Sequence, residues 1–338
     1  MTATPPPAAG EAPLLDVRDL SVEFRTRDGV AHAVNGVGYR VAAGETLAVL
    51  GESGSGKSVA AQAVMGILDC PPARVTGGRV IFKGRDLLTA TREERRRVRG
   101  AHLAMIFQDA LSALNPVVSV GAQLAEMYQV HAGLSRKRAR GRAAELMERV
   151  RIPAAGERLG DYPHQFSGGM RQRVMIAMAL ALEPELIIAD EPTTALDVTV
   201  QAQVMDLLAE LQSAYGMGLI LITHDLGVVA DVADRIAVMY AGRIVEHAPV
   251  RELYKNPAHP YTRGLLDSVP RLDRKGRGLS AIKGTPPDLT AIPPGCAFHP
   301  RCPLARAVCR TDRPPLYDVA PGRTSACHFW RETMDGAR

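Results

Sequence analysis

The amino-acid sequence predicts an α/β fold with a parallel-sheet core, and three observations carry that expectation. A glycine-rich octet, Gly51-Glu-Ser-Gly-Ser-Gly-Lys57-Ser58, stands between a short apolar strand at 46–50 and a helix that starts near Ser58. A second apolar strand, Leu186-Ile-Ile-Ala, runs into two carboxylates, Asp190 and Glu191. From Gly169 onward, helical and strand patterns alternate, the order expected when parallel strands are joined by crossover helices.

Taken in order, residues 1–13 are rich in Ala and Pro and are expected to be a disordered tail. Strands are expected at 14–24, 46–50 and 79–82, where short apolar runs are bounded by turn residues. Helical spacing appears at 91–99 and more fully at 120–152, with Leu124, Met127, Leu146 and Val150 as anchors. A helix follows Gly169, then a buried strand at 186–189, a helix at 198–214, a strand at 218–222 and a helix at 226–233. Beyond Asn256 prolines punctuate the chain, among them Pro257, Pro260, Pro270 and Pro286. The division that follows is 14–256 as the main domain, with an inserted helical subdomain at about 109–180, and 257–338 as a small C-terminal extension.

The composition narrows the function classes. The chain has 338 residues, 46% hydrophobic and 23% charged, which fits a folded soluble protein rather than a disordered or collagen-like one. Its longest apolar run, 174–182, is far short of the roughly 18 residues of a membrane span. The opening Met-Thr-Ala-Thr-Pro-Pro-Pro has neither a basic start nor an apolar stretch, so a cytoplasmic location is expected. A net charge of only +5 and 4% aromatic residues argue against a nucleic-acid partner, because the basic balance is mild and few aromatics are available for base stacking. The arginine runs at 95–99 and 136–142 read as solvated helix faces.

The octet has the chemistry of a phosphate cradle. Gly51, Gly54 and Gly56 let the loop curl so that backbone N–H groups, with those of Ser53 and Ser55, face phosphate oxygens at a helix N-terminus. Lys57 would reach the β- and γ-phosphates of ATP, and the Ser58 hydroxyl would ligate Mg²⁺. The carboxylate pair supplies what such a loop needs: Asp190 to hold Mg²⁺ and Glu191 to polarise water.

Between and after these motifs stand Gln108, Phe166-Ser167-Gly168-Gly169-Met170-Arg171-Gln172, Ala195-Leu196-Asp197 and Thr223-His224-Asp225. Their order over residues 14–256 resembles the nucleotide-binding subunits of ABC transporters, with a P-loop NTPase head, an antiparallel β subdomain and an inserted helical subdomain. The resemblance implies that Ser167, Gly168 and Gly169 contact the ATP of a partner subunit across a head-to-tail dimer. It implies that His224 fixes water and the γ-phosphate, that Gln108 touches Mg²⁺ and senses the membrane subunits, that Asp197 bridges the two sites, and that Phe24 stacks on adenine. Phe166 and Met170 depart from the family's Leu-Ser-Gly-Gly-Gln. The finer resemblance is to dipeptide and oligopeptide importers, carried by Phe-Ser-Gly-Gly-Met-Arg-Gln-Arg, Asn256-Pro-Ala-His-Pro-Tyr261-Thr-Arg and Gly295-Cys-Ala-Phe-His-Pro-Arg-Cys302-Pro. Val59 leans toward the D-type subunit of a D/F pair, and Asp109-Ala110 departs from the usual Asp-Pro. Implied partners are an F-type ATPase, two membrane permeases and an extracytoplasmic solute-binding protein, with this chain peripheral on the cytoplasmic face of the membrane. Importers of nickel or glutathione, and ABC-type ATPases of nucleic-acid repair, are the competing readings.

Four of the five cysteines, Cys296, Cys302, Cys309 and Cys327, share the spacing C-x5-C-x6-C-x17-C. In a reducing compartment such a set favours a metal over disulfides. Zn²⁺ takes four thiolates, and so does an iron–sulfur cluster; the absence of a C-x2-C pair suits the larger group. The resemblance implies a 4Fe-4S cluster here.

Overall fold

The first strand shows how local chemistry sets the sheet. β1 (Leu15–Thr26) buries Leu15, Val17, Leu20 and Val22. The three-residue step from Val17 to Leu20 breaks strict alternation, and there the pairing register shifts and Asp19 takes a left-handed φ of 48°. A bulge is the cheapest way to return the apolar side chains to one face. β1 pairs antiparallel with β2 (Gly29–Val41). β3 (Thr46–Leu50) is buried at every residue and leads through the glycine-rich loop into α1 (Lys57–Met65). β4 (Ala73–Phe82) and β5 (Arg85–Asp86) complete a four-stranded antiparallel sheet of order β2-β1-β4-β5.

The computed structural model describes residues 12–27, 29–194, 196–268 and 282–336. Most of the expected N-terminal tail, Ala195 and Pro270 therefore lie outside the described residues. The chain divides into two compact units, one built from residues up to Ala42, Thr46–Thr89 and everything from Ile222, the other from Ala43–Glu45 and Ala90–Leu221.

The second unit begins with α2 (Arg92–Val98), started by a capping box between Thr91 and Glu94. β6 (Leu103–Ile106) follows, then α3 (Ala110–Ala113), α4 (Val120–Ala132) and α5 (Arg136–Arg149). The apolar spacing at 120–152 looks continuous in sequence, but Gly133 in a left-handed conformation (φ 62°) ends α4 and Ser135 starts α5. α6 (Gly168–Leu180) leads to β7 (Leu186–Asp190), then α7 (Val198–Tyr215) and β8 (Gly218–Thr223), which carries the chain into the first unit at Ile222. β6 and β7 are parallel and β8 neighbours β7. All three are buried at every residue, which is why they read as unbroken apolar runs instead of alternating ones.

Back in the first unit, α8 (Leu226–Val232) precedes β9 (Arg235–Tyr240), which runs parallel to β3, and β10 (Arg243–Pro249), antiparallel to β9. Then come α9 (Val250–Lys255), α10 (Pro260–Asp267), a 3-10 turn at His299–Arg301, α11 (Ala307–Thr311), β11 (Tyr317–Ala320), β12 (Arg323–Ser325) and α12 (Trp330–Asp335). The texture change at 256 is thus not a gap between compact units. β12 pairs with β10, Glu246 opposite Ser325 and His247 opposite Thr324. Glu246 is 1% exposed and its carboxyl accepts the Ala258 and His259 N–H groups at 2.7 and 2.9 Å. Burial nevertheless pushes its pKa up to about 7. Arg323 donates to the Asn256 carbonyl at 2.6 Å and Ser325 to that of Ala258 at 2.9 Å. These buried polar bonds fix the start of the C-terminal segment to the sheet.

Candidate functional site: a phosphate loop and a four-cysteine cavity

In the first unit, β3 delivers the chain into the loop at residues 51–58, where backbone geometry is dictated by glycine. Gly56 has φ 101°, and a Cβ there would lie 2.2 Å from the Ala33 carbonyl oxygen. Gly51, at φ 154°, would place a Cβ 2.3 Å from the Met239 carbonyl oxygen. Gly54, at φ 77°, turns the open tip. Ser53 is exposed and Ser55 buried, with the Ser55 carbonyl accepting the Gly242 N–H at 3.0 Å. α1 then begins at Lys57 with no side-chain cap and no acidic residue in its first turn, leaving its N-terminal field to an anion. Lys57 is 5% exposed, and its Nζ donates to the carbonyls of Gly51 at 2.7 Å and Glu52 at 3.0 Å. The lysine thus spans the loop, its Nζ held by two loop carbonyls. Phe24 lies half-buried on β1, next to a register shift in the pairing with β2. His224 is exposed at the end of β8, ahead of Asp225, whose carboxylate caps α8 through the Gly227 N–H at 2.8 Å.

In the second unit, β7 ends with Asp190 buried, 4% exposed, and Glu191 in a left-handed conformation with φ 46°. Such a backbone is uncommon for glutamate and is retained where the surroundings fix the side chain. They do so here: the Glu191 carboxylate accepts the Gln108 amide at 3.0 Å and the Thr194 hydroxyl at 2.8 Å. Gln108 stands exposed just beyond β6, so neighbouring parallel strands bring the two residues together. Thr194 belongs to none of the sequence motifs above, although a hydroxyl three residues after a carboxylate is a recognisable turn signal.

Ser167 caps α6 by accepting the Met170 N–H at 3.3 Å. Position 170 therefore contributes its backbone to this cap, which accounts for methionine being accommodated there. Phe166, 2% exposed, fills a buried apolar position, which accounts for the other departure. Ser167 and Gly168 are exposed, and a Cβ on Gly169 would meet Val200 at 2.6 Å. Asp197 is exposed and caps α7 through the Val200 N–H at 2.9 Å.

The four C-terminal cysteines converge in the first unit. Cys296, Cys302, Cys309 and Cys327 line one small cavity with His259, His299, His328 and Phe298. The Cys296 N–H donates to the Cys309 carbonyl at 2.9 Å, and Gly295, at φ 68°, permits this approach because its Cβ would lie 2.5 Å from that oxygen. Backbone N–H groups of Phe298 and His299 face the Cys296 sulfur, that of Leu304 faces Cys302 and that of Phe329 faces Cys327. Burial outweighs these donors, pushing the Cys296 thiol up, Cys302 to about 11 and Cys327 to about 12. Among the described residues no three His, Cys, Asp or Glu side chains are arranged to hold a metal ion. The expectation of a metal at the cysteines thus gains no support from donor geometry; a shared cavity, four thiols and N–H donors to three sulfurs are what the structure supplies.

A family profile described as ABC transporter matches residues 34–194, and one described as oligopeptide/dipeptide transporter, C-terminal region, matches residues 245–309. Among solved structures the chain is similar to the dimeric post-hydrolysis state of the ATP-binding cassette MJ0796 bound to ADP and Pi, with 25% identity, 70% of this chain and 99% of that chain covered, and a TM-score of 0.63. Fold and loop define an ABC-type ATPase, which uses ATP with Mg²⁺. The dipeptide transport ATP-binding protein DppD of Bacillus subtilis is 53% identical over 92% of this chain and 91% of its own length. The oligopeptide transport ATP-binding protein OppD of Salmonella typhimurium is 49% identical over 96% of each chain. The chain belongs to the ABC transporter ATP-binding proteins, in the group that includes DppD and OppD.

Proposed function

We propose that this ATPase powers the import of dipeptides or oligopeptides as the D-type subunit of a head-to-tail pair with a second, F-type ATPase. The observation that carries this reading is the pairing of an ABC cassette at 34–194 with an oligopeptide/dipeptide transporter C-terminal region at 245–309 in one chain. Residues 14–256 act as the nucleotide-binding domain, with the helical subdomain at about 109–180, and 257–338 as its extension. Lys57 and the loop amides bind the ATP phosphates; Ser58, Asp190 and Gln108 hold Mg²⁺; Phe24 stacks on adenine. Glu191 polarises the attacking water and His224 orients it against the γ-phosphate. The Gln108–Glu191 bond favours this assignment, because it keeps the base occupied until the glutamine turns toward Mg²⁺. The exposed Ser167 and Gly168 at the N-terminus of α6 suit a role toward the partner's nucleotide, with Asp197 bridging the two sites.

No helix among the described residues is long and apolar enough to cross a membrane. In this reading the chain attaches to the cytoplasmic face through two permease subunits, fed by a solute-binding protein, as the oligopeptide/dipeptide transporter C-terminal region suggests. The exposed Phe107 and Val117, the latter 79% accessible, flank the segment on which a permease would dock. A 4Fe-4S cluster would be held by Cys296, Cys302, Cys309 and Cys327 and would supply cross-linking of the C-terminal segment; their common cavity and the N–H donors to three sulfurs favour this reading, although the thiols as placed form no metal-holding group.

The test is uptake by the assembled transporter in proteoliposomes. Glu191→Gln should retain ATP binding and reduce peptide uptake and phosphate release by roughly 100-fold or more, the scale of losing a catalytic group. Equal turnover would overturn the role of Glu191, and ATP-driven uptake of nickel or glutathione without peptide uptake would overturn the solute.

A further inference from the structure

The C-terminal segment grips the phosphate loop from outside it. Arg301 ends the 3-10 turn at His299–Arg301, immediately before Cys302, and its side chain is 5% exposed. Its guanidinium makes two hydrogen bonds to the Glu52 carboxylate, Nη1 to Oε2 at 2.6 Å and Nη2 to Oε1 at 2.9 Å. Nε donates to the Lys283 carbonyl at 3.0 Å, and the group lies 5.8 Å from the Tyr240 ring centroid and 5.9 Å from that of Phe298. The buried Tyr261 hydroxyl accepts the Glu52 N–H at 2.8 Å. The Glu52 carbonyl in turn accepts Lys57 Nζ at 3.0 Å.

Every polar group of Glu52 is therefore held, its N–H by a residue 209 positions away and its carboxylate by one 249 positions away. Neither glycine geometry nor the start of α1 requires this. A glutamate on a loop is ordinarily solvated, and burying an arginine is costly unless its geometry is fixed on several sides, as it is here. What the arrangement accomplishes is to order residue 52, and with it the carbonyl on which Lys57 rests, before any nucleotide arrives.

We infer that Arg301 is a positioning residue for nucleotide binding: through Glu52, and alongside Tyr261, the cysteine-bearing segment pre-orders the phosphate loop and so sets its affinity for ATP. This rests on the reading of residues 51–58 as the nucleotide loop. Neither Arg301 nor Glu52 touches the reacting atoms, and bound ATP would itself order the loop. Loss of the strap therefore weakens binding and leaves turnover at saturating ATP nearly intact.

The experiment measures Mg-ATP affinity of the full-length chain by calorimetry, KM and kcat in the assembled transporter, and melting temperature. Arg301→Met and Glu52→Met are each expected to raise Kd and KM roughly tenfold with kcat changed less than about twofold. Arg301→Lys should recover part of the loss, since one hydrogen bond replaces two. The double variant should be no worse than either single one, because both remove the same contact. Variants that melt lower yet bind ATP normally, or whose losses simply add, would overturn the inference by making the pair structural only. Should Arg301→Met not fold, Glu52→Gln tests the same contact from the loop side. Lys57→Ala separates the two levels: normal ATP binding in that variant would overturn the loop reading itself, not the strap.

Discussion

The phosphate loop and the cysteine cavity belong to the same compact unit and are built in opposite ways. The loop is eight consecutive residues whose shape comes from backbone: three glycines with positive φ, two of them pressed against carbonyl oxygens of Ala33 and Met239. The cavity draws four side chains from a turn, a short helix and the end of a hairpin. In the first case a single extra carbon is excluded by geometry. In the second the cysteines come to line one cavity because β12 pairs with β10 and Gly295 lets Cys296 approach the Cys309 carbonyl. A backbone site fails locally when one residue changes; an assembled site fails when its supporting contacts do.

The sharpest break in that comparison is Gly56→Ala. Its φ of 101° and the 2.2 Å approach to a backbone oxygen leave no relaxed position for a methyl group, so a loss of about 3 kcal/mol is expected. Thermal unfolding and Mg-ATP affinity should both fall, whereas Gly54→Ala, with nothing within 4 Å of its Cβ, should be milder. Next comes Cys302→Ser, which on the proposed 4Fe-4S reading should abolish iron binding and lower stability by about 2 kcal/mol while residues 51–58 keep their geometry. Iron analysis and the visible spectrum of anaerobically purified protein check this; wild-type protein that is colourless and holds one zinc would remove the cluster.

A third prediction concerns the sheet that supports both sites. Burial, and after it the Arg235 charge 2.6 Å from Nε2, holds His247 down to about 3 from an ordinary 6.5. Because the folded value lies below the unfolded one, its contribution to stability is complete above pH 6.5 and is lost as pH falls from 6.5 toward 3. Over that window His247→Gln should flatten the acid limb of a stability–pH curve by up to about 1.4 kcal/mol per pH unit relative to wild type. An unchanged slope would show that His247 is not buried as the neutral form. The smallest effect is expected for Asp197→Ala, which removes the cap of α7 at a cost of about 1 kcal/mol in chemical denaturation. A larger loss of ATPase than of stability in the assembled transporter would separate a bridging role from the cap.

Sequence alone determined the contiguous parts. The loop at 51–58, the strand ending in Asp190 and Glu191, and the helix that follows Gly169 are legible because each is a backbone conformation specified by neighbouring residues. For the same reason the fully buried strands β3, β7 and β8 stood out as short apolar runs, while β2, with Asn35, Gly36 and Gly38 inside it, did not. The apolar spacing at 120–152 concealed the break at Gly133, since helical periodicity resumes in phase enough to mask one left-handed residue. Only tertiary structure decided what joins distant positions: the Gln108–Glu191 bond across neighbouring strands, the addition of β11 and β12 to the sheet, and the grip of Arg301 and Tyr261 on Glu52. Tyr261 and Arg301 were visible as letters in the strings around them, but a bond spanning more than 200 residues leaves no local spacing to read. It exists because β10 and its buried Glu246 fix where the C-terminal segment starts, and that placement depends on packing of the whole unit.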